Sequence, residues 1–295
     1  MKKKISLLLI GMSFIILSVV ACNSSTGQND RNKHDDERKG TLELAQPPWV
    51  NSVPQAYMVK VVIEDHLGWE VNITEADIGV IFAAIANGTT DFFVDVWLPD
   101  SHEPFIEEHG DDIELLEPFT AVPPNGLVVP TYVDIDSIEE LNEHRDKFNG
   151  EIIGIEPGAG LNIVTRDAIE AYGLDYTLVE GSDFAMTASI QDAVDNEEWI
   201  VTLGWSPHWK FTIFDLKYLE DPLEAFSDTR YLYPAISKDF KEKAPEVVDF
   251  LNKWEVEEAT WDELIYQINI DEIDPETAVR NWLDDHQDIV DSWLE

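Results

Sequence analysis

The fold of this chain is decided by residues 41–97, TLELAQPPWVNSVPQAYMVKVVIEDHLGWEVNITEADIGVIFAAIANGTTDFFVDVW. Alternating or continuous apolar residues predict three short strands here, at 41–46, 69–73 and 91–96. The two segments between the strands carry apolar residues at helical spacing, and Gly68 and Asn87-Gly88 end them. Ser52 is expected to cap the first of these helices. Strands that alternate with helices in this way predict a parallel sheet in an α/β fold.

The same alternation of strands and helices occurs a second time, beginning near residue 126. Further strands are predicted at 126–130, 151–155, 177–179 and 199–204, and the C-terminal tail has a helical pattern. We therefore predict two lobes, each a mostly parallel sheet flanked by helices, and a tail that packs on the first lobe. The predicted limits are 41–127 for lobe 1, 128–232 for lobe 2 and 233–295 for the helical tail.

The N-terminal residues predict export and a lipid anchor. A Lys-rich start is followed by an apolar run, Ile5–Val20, which is too short for a membrane span and is typical of a signal peptide covering residues 1–21. The run ends in Val-Val-Ala-Cys, which resembles a bacterial lipobox and makes Cys22 the expected lipidated residue. Residues 22–40 contain no large apolar side chain after that cysteine, so we expect a flexible tether.

The formal net charge of −41 restricts the possible partners and habitat. Such a charge argues against nucleic acid and against an anionic membrane surface as partners. Self-repulsion of this size destabilises a compact fold in dilute buffer, and salt screens it. The composition therefore favours a protein adapted to a salty habitat, while a merely acidic extracellular protein remains the alternative.

The sequence predicts no catalytic residues, no metal and no cofactor. It contains no Gly-x-Ser-x-Gly, His-Glu-x-x-His or Walker motif, and its seven His residues have no zinc-ligand spacing. Cys22 is the single cysteine, so neither an intrachain disulfide nor a cysteine-based metal site is expected. An enzyme is therefore not predicted.

Three of the ten tryptophans, Trp49, Trp97 and Trp205, are placed where predicted strands end. Ligands of open α/β sheets bind at the carboxyl ends of strands. Each of the three is flanked by proline in a segment that cannot easily bury an indole in the core, although packing stays an alternative for any single one. Converging indole faces suit a quaternary ammonium group. Four other tryptophans are expected to pack on helices of the tail: Trp254, Trp261, Trp282 and Trp293.

A glycine-rich turn, Pro157-Gly-Ala-Gly-Leu161, leads from a predicted strand into a predicted helix. Backbone N–H groups at the start of a helix bind anions, so the turn suits a carboxylate. A dinucleotide fingerprint would need a third glycine where Ile163 stands, so a nucleotide is not expected. Two histidines follow the strand-end tryptophans, His102 and His208, and we expect His208 to lie on the surface.

Several strings resemble the glycine betaine-binding proteins of ABC importers: WLPDSH at 97–102, IGIEPGAG at 153–160, DFAMTASI at 183–190, LGWSPHW at 203–209 and DLKYLEDP at 215–222. The resemblance covers residues 41–295 and implies a two-lobed, periplasmic-binding-protein-like fold with its ligand in the interlobe cleft. It implies that three indoles enclose a trimethylammonium group, those of Trp49, Trp97 and Trp205. It further implies that the ligand carboxylate is held by His102 and by the backbone N–H groups of Gly160 and Leu161.

The function implied by the resemblance is a lipid-anchored receptor that delivers glycine betaine, or a related betaine, to the permease of an ABC importer for osmoprotection. The expected location is the outer face of the cell membrane of a Gram-positive bacterium, and the expected state is a monomer. The alternatives are the same scaffold binding choline, carnitine or another osmolyte, and a Trp-lined sugar-binding protein or glycoside hydrolase. Sugar sites usually add Asp, Asn or Arg beside the stacking ring, whereas Pro, Ser and Gly dominate next to these indoles.

Overall fold

The structure is a computed structural model that describes residues 38–99, 101–123, 125–226 and 230–295. The predicted signal peptide, residues 1–21, lies outside the described residues, as do Cys22 and the tether up to residue 37. Within the described ranges, no helix is long and apolar enough to cross a membrane.

The described elements alternate between strands and helices through both halves of the chain. The strands are β1 Thr41–Gln46, β2 Glu70–Glu75, β3 Phe92–Leu98, β4 Ile113–Leu115, β5 Thr120–Val122, β6 Gly126–Pro130, β7 Glu151–Ile153, β8 Thr177–Val179, β9 Thr202–Gly204, β10 Leu216–Tyr218 and β11 Arg230–Ser237. The helices are α1 Ser52–Val62, α2 Ile78–Ala86, α3 Glu103–His109, α4 Gly160–Ala171, α5 Asp183–Asn196, α6 Lys210–Ile213, α7 Phe240–Lys243, α8 Pro245–Leu251, α9 Glu258–Asn269, α10 Pro275–Asp285 and α11 Gln287–Leu294. A π-helical turn, Ile63–Leu67, extends α1, and a 3-10 helix, Ile138–Phe148, precedes β7.

The described strands form two sheets. The first has the order β2-β1-β3-β11-β4, with β5 also paired to β11; β1 is parallel to β2 and β3, and β11 is antiparallel to its neighbours. The second has the order β10-β6-β9-β7-β8, with β7 parallel to β8 and β9, and β6 antiparallel to β9 and β10. The predicted two-lobed α/β fold is confirmed, but the expectation that each sheet is mostly parallel is wrong, because β11 in the first sheet and β6 in the second pair with all their neighbours in antiparallel orientation.

Each sheet is the centre of one lobe, which we call the first and the second lobe. The chain passes from the first sheet to the second between β5 and β6, and it returns between β10 and β11. Gly126 and Leu127 pair in the second sheet, whereas β11 pairs in the first. The two passages between the sheets therefore lie a few residues before the predicted limits at 127 and 232. A local sequence pattern does not show which strands pair, so it could not place these passages. The lobe limits themselves stay predictions.

The C-terminal helices contact the first lobe. Helices α9 and α10 contact α1, α9 also contacts β5, and α8 contacts the π-helical turn. The four tryptophans of the tail are buried, as expected of packing residues: Trp254, Trp261, Trp282 and Trp293. The indole of Trp254, for example, stacks on Phe119 with ring centroids 4.3 Å apart. These indoles stabilise the lobe and lie apart from the strand-end tryptophans.

The start of α1 differs from its prediction. Asn51 occupies the N-cap position without a side-chain capping bond, and Ser52 is the first residue of the helix. The hydroxyl of Ser52 donates instead to Asp95 of β3. The prediction that Ser52 caps α1 is therefore wrong, because Ser52 already lies inside the helix and its side-chain oxygen accepts no backbone N–H of the first turn. Gly68 ends the π-helical turn with a φ of 75°, a conformation that glycine adopts readily.

Parallel pairing brings the predicted site residues to matching strand ends. The segment after β1 carries Trp49, and β3, which runs beside β1, ends at Trp97 and Leu98. In the second lobe the segment after β7 carries the glycine-rich turn, and Trp205 directly follows β9. Trp97 is thus a residue of its strand, whereas the other two tryptophans lie just beyond theirs.

Candidate ligand-binding site

The strand ends of the two lobes surround a small cavity that is partly open to solvent. Its lining residues come from both lobes and include none of Asp, Glu, Lys or Arg among those described: Trp49, Asn51, Trp97, Ser101, His102, Asn125, Ile155, Ala159, Leu161 and Trp205. Five of the six predicted site residues therefore meet at one cavity, and Gly160 lies between two of the lining residues. A small, mostly apolar cavity of this kind suits a small organic molecule.

The indole of Trp49 is held by both lobes. Its side chain is buried, and its ring stacks on that of His102 with centroids 5.9 Å apart and an interplanar angle of 23°. Its Nε1–H donates to Oε2 of Glu156, in the second lobe, over 3.1 Å. The other carboxylate oxygen of Glu156 accepts the backbone N–H of Asp183. The Trp49 wall, which the first lobe contributes, thus takes its acceptor from the second lobe.

Trp97 and His102 form one hydrogen-bonded unit in the first lobe. The backbone N–H of Trp97 donates to Nδ1 of His102 over 3.0 Å, and the backbone N–H of His102 donates to the carbonyl of Trp97. Because Nδ1 accepts, the ring hydrogen of neutral His102 is on Nε2, which makes that nitrogen a donor. The indole Nε1–H of Trp97 donates to Oδ1 of Asp95 over 2.7 Å.

The indole of Trp205 is the cavity wall that the second lobe contributes, and a hydrogen bond joins it to the first lobe. Its Nε1–H donates to Oδ1 of Asn51 over 3.3 Å. The ammonium of Lys210 lies 3.5 Å from the centre of the indole ring and donates to the carbonyl of Leu203. Burial lowers the pKa of Lys210 to about 7, although the charge of Asp183 opposes that shift. Trp205 therefore lines the cavity and also contacts the buried amine of Lys210.

His208 lies beneath Trp205 and not on the surface. Its ring is edge-on to the indole of Trp205, with centroids 4.7 Å apart, and the residue is buried. Nδ1 accepts the backbone N–H of Lys210, so Nε2 carries the ring hydrogen and donates to Oδ1 of Asp183 over 2.9 Å. The expectation of a surface histidine is wrong because these two bonds hold the ring inside the second lobe.

The ionisation of His208 and Asp183 follows from their buried surroundings. Burial first, and then the charge of Lys210, lower the pKa of His208 to about 4, while Asp183 opposes the shift. Burial raises the pKa of Asp183, but the charges of His208 and Lys210 and the hydrogen bond from His208 outweigh it, so the pKa is lowered. His208 is therefore neutral and Asp183 ionised near neutral pH, which keeps a hydrogen-bonded support behind Trp205.

The start of α4 presents backbone donors next to the cavity. Gly160 and Leu161 are the first two residues of this 12-residue helix, and their N–H groups have no acceptor within the helix itself. A Cβ at position 160 would lie 1.5 Å from the backbone carbonyl oxygen of Ser101 in the first lobe. Glycine is thus required here by the close approach of the two lobes.

Asn125 adds a polar side chain to the cavity that no sequence pattern predicted. It lies between β5 and β6, and its Nδ2 donates to the hydroxyl of Ser101 over 3.1 Å. Its Oδ1 is buried and has no hydrogen-bond partner among the described residues. No cluster of three or more His, Cys, Asp or Glu that could hold a metal occurs in the described part of the chain.

Comparison with known families identifies the class of protein to which this chain belongs. The family model for OpuAC, the substrate-binding domain of ABC-type glycine betaine transport systems, matches residues 40–285. The chain belongs to this family. Its members are transport proteins and not enzymes, which agrees with the absence of a catalytic motif.

Relatives within and around the family share the fold over most of the chain. The crystal structure of lactococcal OpuAC, closed and complexed with glycine betaine, is 32% identical, covers 87% of this chain and 100% of its own, and gives a TM-score of 0.82. The glycine/betaine/L-proline-binding protein ProX of Borrelia burgdorferi is 26% identical, covers 86% and 97% of the two chains, and gives a TM-score of 0.83.

A curated relative is more similar over a shorter stretch. The glycine betaine/carnitine transport binding protein GbuC of Listeria monocytogenes is 34% identical over 170 residues, which are 56% of this chain. The match spans 55% of the length of that relative.

Several residues that position the cavity had no predicted role, although Glu156 lies within the string IGIEPGAG. Asp95 and Glu156, for example, accept indole hydrogen bonds without lining the cavity. Asp95 had one local signal, since it is the single charged residue in the strand FFVDVWL, residues 92–98. An acidic residue inside a buried strand indicates a specific partner, because an unpaired buried charge is very costly. The acidic residues elsewhere are too numerous for a similar choice.

Proposed function

We propose that this chain binds glycine betaine, or a closely related betaine, between its lobes and delivers it to the permease of an ABC importer. The observation that carries the proposal is the meeting of three indoles from both lobes at one cavity without charged lining among the described residues. Family membership supports the transport role, and the relatives named for glycine betaine support the ligand.

The three indoles are proposed to hold the trimethylammonium group. This cation cannot donate a hydrogen bond, so an ion pair with a buried carboxylate would desolvate both charges without the usual compensation. Aromatic faces offer apolar contact and electrostatic attraction together, at about 2 kcal/mol or more for a desolvated cation. The tryptophan walls fit these needs: Trp49, Trp97 and Trp205.

The carboxylate of the ligand is proposed to lie between His102 and the start of α4. The Nε2–H of His102 is a suitable donor, and the N–H groups of Gly160 and Leu161 lie at the positive end of a helix dipole. Choline shares the cation with glycine betaine but has a hydroxyl in place of the carboxylate. Carnitine keeps both charged groups on a longer chain, and the name of the Listeria relative supports it as the second candidate ligand.

The carboxylate contact is tested by comparing ligands. We expect wild-type protein to bind glycine betaine at least about tenfold more tightly than choline, because a charged hydrogen bond contributes about 1.5–3 kcal/mol. Replacing His102 with Ala should reduce this ratio of affinities. The ratio is the proper measure because His102 also stacks on Trp49, so its loss weakens the cage for both ligands. Isothermal titration calorimetry gives both affinities.

Other outcomes would redirect the proposal. Equal wild-type affinities for glycine betaine and choline would show that the carboxylate is not recognised and would favour choline as the ligand. Binding of a disaccharide without binding of either quaternary amine would contradict the proposed function and favour the sugar-binding alternative. A titration with carnitine in the same series decides between the two betaines.

We also propose that the protein is held on the outer face of the cell membrane through lipid on Cys22. The support is the lipobox-like Val-Val-Ala-Cys sequence, which precedes the described residues. A Cys22→Ala variant is expected to leave the membrane fraction or to remain unprocessed, as judged by fractionation and by mass spectrometry of the N-terminus. Unchanged membrane retention in the variant would argue against this anchor.

Adaptation to salt is a further part of the proposal, and it depends on the net charge of −41. At about 1 M sodium chloride the screening length falls to about 3 Å, so repulsion between surface carboxylates largely disappears. The midpoint of thermal unfolding is therefore expected to rise between dilute buffer and molar sodium chloride. A flat or falling midpoint would contradict salt adaptation. Sulfate and phosphate salts are unsuitable, because they stabilise by exclusion from the surface.

A further inference from the structure

The three indoles that line the cavity each donate the Nε1–H to a side-chain oxygen. Trp49 donates its Nε1–H to the carboxylate of Glu156, and Trp97 donates to the carboxylate of Asp95. Trp205 donates to the amide oxygen of Asn51. The amide nitrogen of Asn51 in turn donates to Oδ2 of Asp95 over 2.9 Å. Each indole N–H is therefore linked to a carboxylate, directly for Trp49 and Trp97 and through Asn51 for Trp205. Asp95 is the carboxylate for both Trp97 and Trp205.

Asp95 is buried in the middle of β3 and does not line the cavity. Its carboxylate accepts from Asn51 and Trp97 and also from the hydroxyl of Ser52. Burial raises the pKa of Asp95 to about 7, whereas the hydrogen bonds from Ser52, Trp97 and Asn51 lower it by favouring the ionised form. A carboxylate in such a place is costly without partners, so its donors and its charge depend on one another.

We propose that Asp95 is a positioning residue for the aromatic cage, holding Trp97 directly and Trp205 through Asn51. The inference rests on the proposed function, because it assumes that these indoles bind a quaternary ammonium group. A hydrogen bond in the plane of an indole fixes the rotation of its ring. Above about pH 7, where Asp95 is mostly ionised, the anionic acceptor also polarises the N–H bond and increases the electron density on the ring faces, which a cation contacts.

The same network connects cage assembly to lobe closure. Asp95 and Asn51 belong to the first lobe, whereas Trp205 belongs to the second. The path from Asp95 to Trp205 is therefore complete only when the lobes are together. The hydrogen bond to Asp95 thus fixes the side chain of Asn51, so that its Oδ1 accepts the Nε1–H of Trp205 when the lobes close.

The test is an Asp95→Asn variant titrated with glycine betaine. An asparagine at this position turns a donor toward side chains that themselves donate, and we expect an affinity loss of about tenfold. The matched control is Ser52→Ala, which removes a hydrogen bond to the same carboxylate but none to an indole of the cage. This control is expected to lose less affinity than Asp95→Asn, because the carboxylate keeps its bonds from Trp97 and Asn51, even where it lowers the unfolding midpoint.

A double-mutant cycle separates positioning from general stabilisation. In a Trp97→Phe background the ring at position 97 has no N–H, so the affinity loss caused by Asp95→Asn should be smaller than in wild type. A purely structural role would give the same loss in both backgrounds. If Asp95→Asn does not fold, Asn51→Ala breaks the path to Trp205, and because Asn51 also lines the cavity, its affinity loss is compared in a Trp205→Phe background, where it should be smaller.

The outcomes distinguish this inference from the proposed function. Wild-type binding of glycine betaine together with unchanged affinity in Asp95→Asn would overturn the role of Asp95 and leave the proposed function intact. An equal affinity loss in Ser52→Ala would overturn it as well, since that change spares every indole contact. A wild-type protein that does not bind glycine betaine would overturn the proposed function and this inference together.

Discussion

A Gly160→Ala variant is expected to lose at least about a hundredfold in affinity for glycine betaine, because its lobes cannot close fully. The added Cβ would lie 1.5 Å from the backbone oxygen of Ser101 and 2.4 Å from its carbonyl carbon. Both atoms belong to the backbone of the other lobe, so no side-chain rotation relieves the overlap. Apparent affinity falls in proportion to the closed population, and a hundredfold loss corresponds to about 2.7 kcal/mol.

Binding and folding should separate in this variant. Because the overlap lies between the lobes, we expect the unfolding midpoint of ligand-free Gly160→Ala to stay close to that of the wild type. Calorimetric titration gives the affinity and thermal unfolding gives the midpoint. The matched control is Gly181→Ala in the same lobe, where a Cβ would meet only Ala185 at an ordinary 3.6 Å. Binding by Gly160→Ala within a few-fold of wild type would show that productive closure does not need this contact.

Replacing a cage indole by alanine is expected to give the second largest loss, about tenfold or more for each wall. Such a loss corresponds to at least about 1.4 kcal/mol and reflects the missing aromatic face and its apolar contact. The variants are Trp49→Ala, Trp97→Ala and Trp205→Ala. Substitution by phenylalanine should cost less because a smaller aromatic face remains. Calorimetry measures the affinities, and ligand-induced changes in tryptophan fluorescence report on the same indoles.

The control for the cage is a tryptophan of the tail. Trp293 is buried, and its Nε1–H donates to the carbonyl of Glu255. Trp293→Ala should therefore lower stability and leave affinity nearly unchanged. Trp49 lies outside the strings that resemble the family, so its variant is the most demanding test of the three-walled cage. Normal binding by a folded Trp49→Ala protein would leave two walls and require a different third one.

The predictions for Gly160 and for the cage indoles both depend on closure of the two lobes around the cavity. Trp49 takes its acceptor from the second lobe, and Trp205 takes its acceptor from the first. In the proposed function, closure therefore forms hydrogen bonds to the walls at the same time as it surrounds the cation. A ligand that fits the cage favours the closed form by its differential affinity for that form, which is the physical basis of ligand-dependent closure.

Much of the fold and part of the site could be predicted from local patterns. Hydrophobic periodicity and helix-ending glycines determine the alternation of strands and helices, and this alternation determines the α/β class. Proline-flanked tryptophans at strand ends identified three lining residues, and the motif around WLPDSH identified His102. These features were predictable because they depend on residues close together in the chain.

Tertiary structure alone decided the interactions between distant segments. The hydrogen bond of Ser52 to Asp95, the burial of His208 against Asp183 and the acceptors of the three indoles all depend on atoms that meet only in the folded chain. Gly160 illustrates the difference. Its sequence context predicts a helix start with backbone donors, whereas its contact with Ser101 arises only when the lobes come together, because a local pattern carries no information about which surfaces will meet.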